Sequence, residues 1–138
     1  MPHRLYADVA ARARNRCEYC RAPEWVFNFE FEVDHIVATA RGGTDDLSNL
    51  ALACRSCNLR KGITERARDP VTGELVMLFD PHKHEWGEHF QLDVSRSRIE
   101  GLTAIGRATA ARLGMNRAAA IGARRLWVSR LLLRFDQP

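Results

Sequence analysis

The sequence predicts a small α+β fold in which two short strands and a helix are enclosed by a thiolate metal site. Three observations predict it. Two CxxC pairs, Cys17-Glu-Tyr-Cys20 and Cys54-Arg-Ser-Cys57, close the two ends of one stretch. Between them Phe27, Phe29, Phe31 and Val33 alternate with Asn28, Glu30, Glu32 and Asp34, the period of a half-buried strand. A second apolar run over 49–53 feeds the second pair, and residues 59–67 have helical character until Asp69-Pro70 stops them.

Taken in order, residues 3–16 read as a helix with Leu5, Val9 and Ala13 on one stripe and Arg12 and Arg16 on the other side. The first strand ends at Asp34-His35. Regular alternation sends these two side chains to opposite faces, so a site shared by both needs a twist or bulge. Arg41-Gly42-Gly43, followed by Thr44-Asp45-Asp46, permits positive φ and a reversal. Beyond Pro70, residues 75–79 suggest a strand, and Phe90–Val94 with Arg98-Ile99 a hairpin around Ser95–Ser97. Thr103 can start a helix that Gly114 ends. Asn116 can cap a longer one through Ile121, Leu126, Val128, Leu131 and Leu132. The expected organisation is a core over 1–69 and a strand and helix extension over 70–138, packed on it as one unit; 138 residues with 46% hydrophobic content suit that size.

No stretch approaches the roughly 18 apolar residues of a membrane span. Arg4 and Asp8 fall where an export signal needs an apolar core, so a cytoplasmic protein is expected. Cytosolic thiols are kept reduced, and two CxxC pairs are one more than a redox site needs. Cys17, Cys20, Cys54 and Cys57 therefore read as four thiolates closing a tetrahedron around structural Zn²⁺. Arg16, Arg21 and Arg55 lie beside these ligands and are expected to offset the net negative charge of such a centre. His82, His84 and His89, around Trp86, fit no compact ligand spacing.

The net charge of +4 is unevenly spread. Residues 1–21 hold five Arg against Asp8 and Glu18, and residues 22–94 seven basic against thirteen acidic groups. Residues 95–134 hold nine Arg against Glu100 alone. Basic flanks around an acidic centre suit a phosphate-binding frame around a cation site, or simply two helices with solvated faces.

Asp34-His35, Gly42-Gly43, Ser48-Asn49-Leu50 and Cys57-Asn58 through Lys61 resemble, in that order, the HNH endonucleases, the zinc-stapled branch of the ββα-metal nucleases. The last position is Asn58, so the chain looks like the HNN variant. Phosphodiester hydrolysis needs a base for water and positive charge at the phosphate. His35 is the candidate base, because an imidazole accepts a proton near neutral pH. Asp34 is the candidate first ligand of a hard cation, Mg²⁺ or Mn²⁺, with the Asn58 carbonyl as the second, and an Asn before a helical run is equally a favoured N-cap. The resemblance implies that Asn49 orients the loop carrying His35 and that Arg60 and Lys61 contact the phosphate backbone. Arg107, Arg124 and Arg125 stud the last helices, a surface suited to DNA or to a homodimer. The leading expectation is a DNA endonuclease, although no residue selects DNA over RNA. A zinc-held nucleic-acid-binding module without turnover is the second reading, and a zinc scaffold joining proteins the third.

Overall fold

Cysteine chemistry sets the boundaries of the central helix. The backbone of Cys54 is extended and its Sγ accepts the Cys57 N–H at 3.4 Å, so the residue caps helix α2 (Arg55–Lys61). Gly62, at φ +52°, ends that helix. The computed structural model describes residues 2–130, and in it the expected helix over 59–67 is corrected in both limits. Past Gly62 the chain leaves helical geometry, and Arg66–Arg68 form strand β3, paired antiparallel with β4 (Leu75–Met77). Asn58 thus lies inside α2, where it cannot serve as its N-cap.

Strands β1 (Glu32–His35) and β2 (Leu50–Ala53) pair antiparallel, with Asp34 opposite Ala51 and His35 opposite Leu50. With α2 they supply the strand, strand, helix order. All four residues of β2 are fully buried, under Val9 of helix α1 (Tyr6–Arg12) and beside Tyr19. The first strand is shorter and later than the alternation over 27–33 suggests. The carboxylate of Glu24 captures the Phe31 N–H at 2.6 Å, and β2 offers only four residues to pair with. Phe27 and Phe31 still turn inward, with ring centroids 5.1 Å apart, while Phe29 is 49% exposed. Helix α1 is likewise shorter than expected, because Arg14 and Asn15 adopt positive φ.

The extension adds α3 (Trp86–His89), the hairpin of β5 (Phe90–Asp93) with β6 (Arg98–Gly101), α4 (Ala104–Arg112) and α5 (Ala118–Ser129). Thr103 caps α4 through the Gly106 N–H, and Gly114, at φ +61°, follows its end, both as expected. Asn116 does not cap α5. Its side chain instead bonds the N–H and C=O of Ile99, each at 2.8 Å, so the cap position falls to Arg117. Leu131 and Leu132, expected on the last apolar stripe, lie outside the described residues. The extension meets the core where Trp86 Nε1 donates to the Tyr19 carbonyl at 2.8 Å and where Trp127 packs on Phe27. Among the described residues no helix is long and apolar enough to cross a membrane.

Candidate functional site

The four cysteines come from two places. Cys17 and Cys20 sit in the turn after α1, and Cys54 and Cys57 at the start of α2. All are buried, and their Sγ atoms lie within 4.8 Å of one another. The Cys20 and Cys54 sulfurs are 3.8 Å apart. A tetrahedral zinc with bonds near 2.3 Å requires sulfurs about 3.8 Å apart, so the donor set fits that ion. Hydrogen bonding among these thiols, Cys17 foremost, pushes Cys57 well above the usual thiol range. Only a cation at the centre would let all four ionise together. A basic group near this centre was not legible in the sequence. It is Arg124 of α5, buried and close enough to feel the charge of Cys20, Cys57 and Cys54.

Strand β1 ends with its two polar residues on opposite sides, in regular ladder geometry. The bulge that a shared Asp34-His35 site would need is absent, which corrects that expectation. On the outer side, His35 Nε2 lies 2.9 Å from Asp45 Oδ1. His3 Nε2 reaches the same oxygen at 2.6 Å, and Arg4 donates to Oδ2 at 3.0 Å. Hydrogen bonds from His3 and then His35 draw the Asp45 carboxyl down to about 2. Asn49 ties this loop together. Its Oδ1 accepts the Val37 N–H at 2.9 Å, and its Nδ2 donates to the carbonyls of Val37 and Thr44 at 3.0 and 2.8 Å. A Cβ on Gly43 would stand 1.7 Å from the Val37 carbonyl oxygen, so only glycine lets the chain turn back there toward Asp45.

The inner side is closed. Asp34, 4% exposed, accepts the Tyr19 hydroxyl at 2.7 Å and faces the Lys61 ammonium at 3.2 and 3.3 Å. Lys61, 2% exposed, also donates to the carbonyls of His35 and Ile36, each at 3.1 Å, which satisfies its three donors. Burial pushes the Asp34 carboxyl up despite this partner, and it pushes the Tyr19 hydroxyl up as well. A hydrated dication does not fit here. Both carboxylate oxygens already face an ammonium, and the pocket excludes the water that Mg²⁺ or Mn²⁺ retains.

Several basic residues expected on DNA are committed internally, which corrects those assignments. Lys61 is buried as described. Arg124 donates to the carbonyls of Ser97 and Met115 at 2.8 and 2.7 Å. Arg107 grips both oxygens of Asp69 at 2.9 and 2.7 Å. Arg60 and Arg125 are exposed, and Asn58 is partly buried one turn before Lys61. Asp45 and His3 were not singled out in the sequence. Asp45 follows the glycine turn and the spacing allowed its position to be noticed, but nothing marks a contact between His3 and a residue 42 positions away.

Residues 17–63 match the model of a protein family described as HNH endonuclease. No curated protein and no solved structure matches the chain.

Proposed function

We propose that this chain, whose residues 17–63 match the HNH endonuclease family, hydrolyses DNA phosphodiester bonds with His35 as the base that takes a proton from water. One observation carries the reading. The loop that leaves His35 is fixed by three hydrogen bonds from a single side chain, Asn49, at a partly open face of the molecule. Binding to a nucleic acid needs charge and shape but no oriented imidazole. Arg60 and Arg125 are the exposed groups proposed to meet phosphates. A structural zinc on the four cysteines belongs to the proposal. The Asp34 side is closed to a hydrated dication, so Mg²⁺ or Mn²⁺ would supply positive charge at the phosphate itself, on the open side of His35.

The test is cleavage of supercoiled plasmid by the zinc-loaded protein with Mg²⁺ or Mn²⁺, against excess chelator and against His35→Ala with its zinc content checked. The expected result is cleavage that disappears in both controls while the variant keeps its zinc. Salt-sensitive DNA binding that is equal in the two proteins, with no cleavage by either, would establish the binding module instead.

A further inference from the structure

The carboxylate that meets His35 Nε2 belongs to Asp45, ten positions beyond it in the chain. We infer that Asp45 is the positioning residue for His35 and that His3 shares its carboxylate, which makes the arm before α1 part of the catalytic centre; this rests on the nuclease reading above.

An ionised carboxylate can only accept hydrogen bonds. Both imidazoles that meet Asp45 Oδ1 must therefore present an N–H to it through Nε2. For His35 this puts the proton on Nε2 and the lone pair on Nδ1, and Nδ1 makes no hydrogen bond among the described residues. Asp45 thus selects the tautomer in which one nitrogen is held and the other is free to accept a proton from water, leaving hydroxide to attack. The same logic settles His3 independently. Its Nδ1 accepts the Leu5 N–H at 3.0 Å, so its own proton must sit on Nε2, aimed at Asp45.

The three donor atoms also lie within 4.8 Å of one another, a spread compatible with a bound cation. The Leu5 hydrogen bond weighs against that occupant, because a metal on His3 Nε2 would require the proton to move to Nδ1, against the Leu5 N–H. The two histidine rings stand edge-on with centroids 5.8 Å apart, and Arg4 takes the second carboxylate oxygen. Strand end, glycine loop and N-terminal arm thereby meet on one carboxylate. His3 also limits what Asp45 can give His35, since both compete for one oxygen atom.

The test reads tautomers first and rates second. Long-range ¹⁵N–¹H spectra of histidine-labelled, zinc-loaded protein, recorded well above pH of about 6.5 so that free imidazoles are neutral, are assigned with His3→Gln and His35→Gln. Both residues are expected as Nε2–H tautomers. In Asp45→Asn the side-chain amide can also donate, so His35 is expected to become a mixture, with kcat and kcat/KM for plasmid falling together by about a hundred-fold. Asp45→Glu should regain the Nε2–H signal and part of the rate. His35 found as Nδ1–H in the wild-type protein would overturn the inference, as would an Asp45→Asn variant with unchanged tautomer and rate. So would Co²⁺ bound beyond the cysteine site and lost in His3→Ala, which would place a metal among the three donors. A wild-type chain that cleaves nothing sinks the nuclease reading but leaves the tautomers readable. A chain that cleaves with the wrong tautomer sinks only the positioning role.

Discussion

Asp34 and His35 are neighbours in a four-residue strand, and the ladder sends them to environments that differ in every physical respect. On the inner side a carboxylate and an ammonium neutralise each other out of water while a phenol donates a hydrogen bond to the carboxylate. On the outer side an imidazole meets a carboxylate that is 43% exposed. A buried charge whose partners are complete holds a structure together, whereas a partly open one with an unused nitrogen can take part in a reaction. Sequence adjacency in a strand is therefore a poor guide to shared chemistry, since alternate residues share a face and consecutive ones do not.

The largest effect should come from removing the structural zinc proposed for the four cysteines. A structural zinc contributes on the order of 10 kcal/mol to folding where the ligands cannot assemble without it. Stripping it with a chelator is expected to release four reactive thiols and abolish the β1–β2 circular-dichroism signal together with any cleavage. An apoprotein that keeps its melting temperature would mean that the fully buried residues of β2 hold the strands unaided.

Next in size is Lys61→Met, which leaves the Asp34 carboxylate buried without its counter-ion. Such a change costs about 3–5 kcal/mol, measured by urea unfolding, and replacing Asp34 by Leu as well should return a good part of it. Should Lys61→Met instead keep full stability and lose only DNA affinity, the inner side would have to be redrawn as a phosphate-binding surface.

Much of this was legible in the residue order. The cysteine spacing marked four residues that the fold does bring together, because sulfur pairs at the ends of one stretch have few uses besides holding a metal. The role of Asn49 as an orienting residue came only from the family resemblance, whereas the hairpin at 90–101 and the Thr103 cap followed from local turn and cap chemistry. The misses share a cause. Phe27–Val33 alternates well, but the number of residues in β2, and the pull of Glu24 on Phe31, decided where pairing starts. Lys61, Arg107 and Arg124 are indistinguishable in sequence from solvated arginines and lysines, and only their long-range partners on the Asp34, Asp69 and Ser97 segments decide otherwise. His3 was invisible for the same reason, and Asp45 was visible only as a turn residue, without its partners.

Asn49→Ala sharpens the outer side. It removes three hydrogen bonds, at a stability loss of about 1–3 kcal/mol, and frees the loop that carries both Val37 and Thr44. Displacing a catalytic group by about 1 Å can lower the rate a hundred-fold. Plasmid cleavage is therefore expected to fall by about that factor while zinc content and most of the stability persist. Loss of stability with an unchanged rate per folded molecule would show that Asn49 serves the fold and not the placement of His35.

The smallest effect separates this strand from the extension, and its sign can be worked out. Arg107 holds the Asp69 carboxyl well below the usual range through a two-point hydrogen bond, with the Val71 N–H and the Thr72 hydroxyl adding to it. The value in the unfolded chain is near 3.9. A carboxyl that is more acidic when folded stabilises the protein fully above its unfolded value and loses that contribution as the pH falls toward its folded one. Arg107→Leu should accordingly be less stable than wild type at neutral pH, and the gap should narrow progressively in acid below pH of about 4. A gap that stays constant would mean that Arg107 acts by packing between β3 and α4. A variant with unchanged stability but a salt dependence of DNA binding reduced by about one phosphate contact would return Arg107 to the DNA surface. Because the pair joins the turn after β3 to α4, far in sequence from His35, rates of cleavage per folded molecule should be untouched by this substitution, whereas every substitution on the outer side of β1 should change them.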